Sequence, residues 1–128
     1  MGYAKAGLKP IIIERGEPVE ERMQKVDEFW KSGKLNAESN VQFGEGGAGT
    51  FSDGKLNTGV KDKFGRKRFV LETFVKHGAA ETILYDAKPH IGTDVLCKVI
   101  ANMRSELKYL GATILFHHRF EHVIMAAN

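Results

Sequence analysis

Apolar positions along this chain change period several times, and each change predicts a different element. Leu8 to Ile13 is a short apolar run, Leu-Lys-Pro-Ile-Ile-Ile, followed by Glu14-Arg15-Gly16. Its length and β-branched content predict a buried parallel strand, with Pro10 at its beginning, where a missing N–H is tolerated. Residues 1–6 read as the last turns of a helix closed by Gly7. After Pro18, Val19, Met23, Val26 and Trp30 recur at helical spacing and end at Ser32-Gly33, predicting a helix packed through that stripe. Phe69, Val70, Phe74 and Val75 predict another helix that stops at Gly78, and residues 83–91 are expected to contain a short strand. The clearest segment is the last. Thr93 or Asp94 caps a helix whose buried face is Leu96, Val99, Ile100, Met103, Leu107 and Leu110; Gly111 closes it. Ala112 to His117 reads as a strand, and Phe120 to Met125 as a further one. Alternation of this kind argues for an α/β fold with a mainly parallel sheet.

Composition narrows the class. The chain has 128 residues, 42% hydrophobic and 27% charged, with a net charge of +3. That balance suits one modest globular domain, and the charge excess is too small to argue for nucleic acid. No apolar run approaches the ~20 residues of a membrane helix, so no membrane is expected. A single cysteine, Cys97, excludes an internal disulfide framework and leads to the expectation of a cytoplasmic protein. Glycine is the unusual count: 14 residues, concentrated between Gly44 and Gly65.

Two features carry candidate chemistry. An acid at the carboxyl end of a buried strand can accept hydrogen bonds from both ribose hydroxyls of an adenosine, and Glu14 stands there, with Arg15 beside it. Taken alone, Glu14 reads more readily as a solvated loop carboxylate than as a ribose ligand. The G-x-G-x-x-G fingerprint is expected ~20 residues before such an acid. With thirteen residues before Glu14, the expectation is an incomplete unit, lacking the first strand and its pyrophosphate turn. The second feature is the loop Gly44-Glu45-Gly46-Gly47-Ala48-Gly49-Thr50-Phe51-Ser52-Asp53-Gly54-Lys55. It contains a formal G-x-G-x-x-G but no strand leads into it, and no Gly-Lys-Ser/Thr of a P-loop follows. Its small residues permit close approach to a flat or charged ligand, with Thr50, Ser52, Lys55 and Asn57 as polar contacts.

Three stretches together resemble a known family: residues 7–16, residues 38–58 (Glu-Ser-Asn-Val-Gln-Phe-Gly-Glu-Gly-Gly-Ala-Gly-Thr-Phe-Ser-Asp-Gly-Lys-Leu-Asn-Thr) and residues 87–94 (Ala-Lys-Pro-His-Ile-Gly-Thr-Asp). The chain is similar to FAD-dependent dehydrogenases of the glutathione-reductase-like superfamily, closest to a bacterial subgroup of uncharacterised FAD-dependent proteins. The resemblance implies an incomplete Rossmann-like FAD-binding domain. Residues 1–60 would hold the ribose strand and flavin loop, 61–92 a connecting region, and 93–128 a helix and returning strands. It implies that Glu14 binds the ribose of FAD with Arg15 beside it. Gly46, Gly47, Ala48, Gly49 and Thr50 would line the pyrophosphate and flavin, with Ser52, Lys55 and Asn57 nearby. NAD(P)H is a candidate electron donor. The parent protein would be an FAD-dependent oxidoreductase; the alternative is a non-catalytic truncated remnant that does not bind FAD alone. The missing first strand implies a chain that self-associates or pairs with a complementary chain.

The remaining residues read more simply. His90 is a weak catalytic candidate and otherwise a loop residue organising the turn before the last helix. Cys97 lacks a nearby partner cysteine and reads as a small packed residue. His117 and His118, adjacent in a strand, point to opposite faces, so no metal site is expected there or at His122. Lys61, Lys63, Arg66, Lys67 and Arg68 form a basic cluster that reads as a solvated loop or helix start. Met23 and Trp30 are expected in the core.

Overall fold

The computed structural model describes residues 1–52, 54–56 and 61–125. The elements run α1 (Gly2–Lys5), β1 (Ile11–Ile13), α2 (Val19–Ser32), α3 (Arg66–Lys76), α4 (Thr93–Tyr109) and β2 (Thr113–Leu115), with 3-10 turns at Ala48–Phe51 and Glu81–Leu84. The class is mixed helix and strand, with a small parallel sheet.

β1 is a run of three isoleucines, whose branched side chains suit the pleat. It pairs with β2 in parallel, with Ile11 opposite Thr113, Ile12 opposite Ile114 and Ile13 opposite Leu115. Two strands form the whole sheet among the described residues. Ile12 faces inward, while Ile11 and Ile13 are 68% and 47% exposed.

α2 starts after Pro18, carries Glu20 and Glu21 in its first turn, where the helix dipole favours acids, and ends at Gly33 in left-handed conformation. Its buried face differs from the expected stripe. Val19, Arg22 and Val26 are buried, whereas Met23 and Trp30 are exposed. The helix is rotated about its axis so that the Arg22 guanidinium, rather than Met23, meets the neighbouring loop, where its hydrogen bonds offset its desolvation.

The core lies between α3, the Glu81–Leu84 turn and α4. Leu71, Ala79, Ile83, Ile91, Leu96 and Val99 are buried together, with Phe74, Leu84, Ile100 and Met103 packed against them. Three expectations are corrected here. Residues 83–91 hold no strand: Ile83 belongs to a 3-10 turn, and only an isolated bridge at His90 is extended pairing. Pro89 and the turn leave no run long enough for a ladder. Residues 120–125 form no strand either; Val123, Ile124 and Met125 are exposed and no described segment pairs with them. Thr93 and Asp94 lie in the first turn of α4 rather than capping it, the cap position being Gly92, whose carbonyl accepts from Leu96 N–H at 2.9 Å.

Candidate functional site

A cavity of about 440 Å³ opens between β1, β2, α4 and the glycine loop. Its walls are apolar. Ile12, Ile114 and Phe116 come from the sheet end, Leu96, Ile100, Met103 and Leu107 from one face of α4, and Leu56 and Phe74 close the far side. Glu14, Glu45, Thr50, Lys55 and Arg104 supply polar groups. A concave apolar surface with a few convergent polar groups is the usual form of a small-molecule site.

Glu14 follows β1 directly. Its backbone is tied to the returning strand, its N–H donating to Leu115 O at 2.9 Å and its carbonyl accepting from His118 N–H at 3.1 Å. One carboxylate oxygen accepts the Gly16 N–H at 2.7 Å, which fixes the side chain over the strand end. Arg15 turns the other way and forms a two-bonded ion pair with Glu38 on the surface.

The glycine loop is pinned at both ends. A Cβ on Gly16 would come within 2.5 Å of Gly44 Cα, so the loop rests directly on the chain leaving β1. At the far end, Ile91 N–H donates to Gly54 O and Leu56 N–H to Pro89 O, each at 3.0 Å, around the Lys55–His90 bridge. Between these points Arg22, fully buried, donates to four carbonyls: Asn40 and Val41 at 2.8 Å, Glu45 at 2.7 Å and Gly44 at 3.4 Å. Its guanidinium also stacks 4.6 Å from the Phe51 ring centroid. Burial lowers the Arg22 pKa, opposed by the charge of Glu14, yet a guanidinium stays charged in a protein.

A second polar clasp joins the loop to two helices. Glu45 accepts the Val19 N–H at 2.8 Å, at the start of α2, and pairs with Arg104 of α4 at 2.6 Å. Arg104 also pairs with Glu20. Burial pushes the Glu45 carboxyl above its ordinary value, against the Val19 N–H and Arg104, which pull it down. Glu20 is held below its ordinary value, chiefly by the Arg104 hydrogen bond.

Thr50 is buried, lines the cavity, and its hydroxyl has no hydrogen-bond partner among the described residues. An orphaned buried hydroxyl is costly unless a ligand or water completes it.

The structure therefore gathers Glu14, Gly46, Gly49, Thr50 and Lys55 on one cavity. Arg15, Gly47, Ala48 and Ser52 lie outside its lining, and Ser52 donates back to Gly49 O at 3.0 Å. Asn57 lies outside the described residues. His90 is exposed, outside the lining, and joined to Lys55 through the isolated bridge. Cys97 is buried, and burial pushes its thiol up. Among the described residues no cluster of three or more His, Cys, Asp or Glu is arranged to hold a metal, and no helix is long and apolar enough to cross a membrane. Sequence reasoning missed Arg22, Glu45 and Arg104. The spacing Val19, Arg22, Val26 was the available signal for the first.

Fold and site together define a mixed helix-and-strand unit with a largely apolar cavity at the carboxyl end of a parallel strand. No protein-family model matches the chain. Over 120 residues, 94% of its length, the chain is 52% identical to an uncharacterized protein of Clostridium beijerinckii, and it spans 22% of that relative's length.

Proposed function

We propose that this chain supplies part of the FAD site of an oxidoreductase. The reading rests on one juxtaposition: Glu14, at the carboxyl end of a parallel strand, faces the same apolar cavity as Gly46, Gly49 and the unpartnered Thr50 hydroxyl. In it Glu14 accepts the hydroxyls of an adenosine ribose, the loop approaches the pyrophosphate and flavin, and the aliphatic face of α4 covers a flat ring. These residues fit such a group: the glycines leave room for its approach, Thr50 lacks a partner, and the volume falls within the usual range of ligand pockets. Bound flavin would supply the redox chemistry, with NAD(P)H a candidate donor, while the protein orients it. Fluorescence titration of FAD and ADP into the chain, and into its longer relative, tests this. Saturable binding with loss of affinity in Glu14→Ala is expected. A folded relative that binds neither ligand would sink the reading.

A second reading, a chain that does not bind FAD alone and pairs with another copy, is favoured by the exposure of Ile11 and Ile13. Parallel sheets are normally covered on both faces. Sedimentation velocity at micromolar concentration separates the two: a dimer lost in Ile11→Lys supports self-association, and a monomer removes it.

A further inference from the structure

We propose that Arg22 is a positioning residue for the cavity: by gathering the carbonyls of the glycine loop it turns the Gly46 N–H to the ligand side, where it donates to a phosphate group. The inference rests on the nucleotide reading above and adds the element that would hold the anion.

The geometry follows from the planar trans peptide, in which the carbonyl of one residue and the N–H of the next point in opposite directions. Glu45 O accepts from Arg22 Nη1 at 2.7 Å, so the Gly46 N–H points away from Arg22. Arg22 is not part of the cavity wall, whereas Glu45 and Gly46 are. The Gly46 N–H has no acceptor among the described residues, unlike its neighbours: Glu45 N–H donates to Glu17 O and Gly47 N–H to Gly44 O, both at 3.0 Å. A donor of fixed direction beside an apolar cavity strengthens a charged acceptor, because little water competes for it.

The loop is built around this cation. Gly44 has φ +112°, and a Cβ there would meet Arg22 Cδ at 2.7 Å, so the arginine stem occupies the space a side chain would take. Gly46 has φ +88°, a conformation that glycine adopts readily. A lysine could not replace Arg22, because a compact ammonium lacks the planar fork that reaches separate carbonyls.

A purely structural arginine would weaken all ligands alike, and this separates the two roles. The test uses the 128-residue chain, its Arg22→Met and Arg22→Lys variants, and two probes, ADP and adenosine, followed by amide NMR. In the wild type, ADP should bind about tenfold tighter than adenosine, the size of one hydrogen bond to a charged group, and should shift the Gly46 amide when adenosine does not. Arg22→Met should lose about that tenfold for ADP and leave adenosine within about twofold. Arg22→Lys, which keeps the charge, should behave as Arg22→Met. Equal losses for both probes in the variants, or an ADP shift at Gly46 that persists in them, would overturn the assignment. Should the methionine variant fail to fold, the lysine variant and the wild-type Gly46 shift carry the test, and an unshifted Gly46 overturns it. Wild-type binding of ADP and adenosine with equal affinity removes the phosphate donor but leaves a nucleoside site. Binding of neither removes both readings.

Discussion

Around Ile83 and Val99 the chain is held by apolar side chains withdrawn from water; around Arg22 it is held by backbone carbonyls gathered on one cation. The first kind of cohesion has no direction and tolerates changes that conserve volume. The second is directional, and each bond fixes the orientation of one peptide group. A binding loop needs the second kind, because its donors must point at a ligand. α4 belongs to both regions. Leu96 and Val99 enter the apolar core, while Arg104, nearer its C-terminus, clasps the loop through Glu45, with Ile100 and Met103 between them on the cavity wall. The cavity therefore lies at the seam between a non-directional core and a directional clasp.

The largest expected effect falls on the apolar side. Ile83 is 1% exposed, and Ile83→Ala should lose about 2–5 kcal/mol in urea unfolding, from lost burial and a residual cavity. Ile11→Ala, at a position 68% exposed, should stay within about 0.5 kcal/mol. Similar losses at the two positions would mean that the sheet end is as integral to the fold as the core, and the contrast would collapse.

The next effect lies within the loop. Gly46→Ala places a side chain at φ +88° and a Cβ 2.2 Å from Thr50 Oγ1 and 2.5 Å from Ile100 Cδ1. Backbone strain of this kind costs about 1–3 kcal/mol, and Thr50, buried and β-branched, has little room to yield although the Ile100 methyl can turn aside. Gly49 has no positive φ and nothing within 4 Å of an added Cβ, so Gly49→Ala should be within about 0.5 kcal/mol of wild type. Thermal unfolding checks the pair, and FAD titration should follow the same order. Equal tolerance would show a loop that adapts freely, without the pinned geometry that the clasp implies.

What the sequence revealed divides along the same line. β1 and α4 were legible because an isoleucine run and a regular apolar stripe have few alternative structures. Arg22 was not, because a charge on a helix reads as solvated unless its acceptors are known, and those acceptors are carbonyls, which every residue carries. The same blindness put Met23 and Trp30 in the core: a rotation of α2 that buries Arg22 exposes both. Ile100, Met103 and Leu107 were read as a buried face and do face inward, but their sequence cannot say whether a neighbour or a cavity meets them. The 3-10 turn at Glu81–Leu84 buries Ile83 without the alternation of a strand, so the apolar residues between Ile83 and Ile91 suggested the wrong element.

The smallest effect is the most discriminating, because two carboxylates on one guanidinium should respond to pH with opposite sign. Glu20 titrates below its ordinary value in the folded chain, so its contribution is present above that value and is lost as pH falls through the folded one. Glu45 titrates above its ordinary value, chiefly because it is buried, so the folded chain holds its proton more tightly than the unfolded chain. Its ionisation weakens the fold, and stability declines as pH rises from the ordinary carboxylate range through the raised value. Urea unfolding of wild type, Glu20→Gln and Glu45→Gln from about pH 3.5 to 7 spans that range. The stability advantage of wild type over Glu20→Gln should grow with pH, modestly, since Glu20 is 54% exposed and screened by water. Its advantage over Glu45→Gln should shrink. Slopes of the same sign would mean that Glu45 is a second surface partner of Arg104 rather than a buried group. The loop would then be tied to α4 by screened ion pairs, and Arg22 alone would have to set its direction.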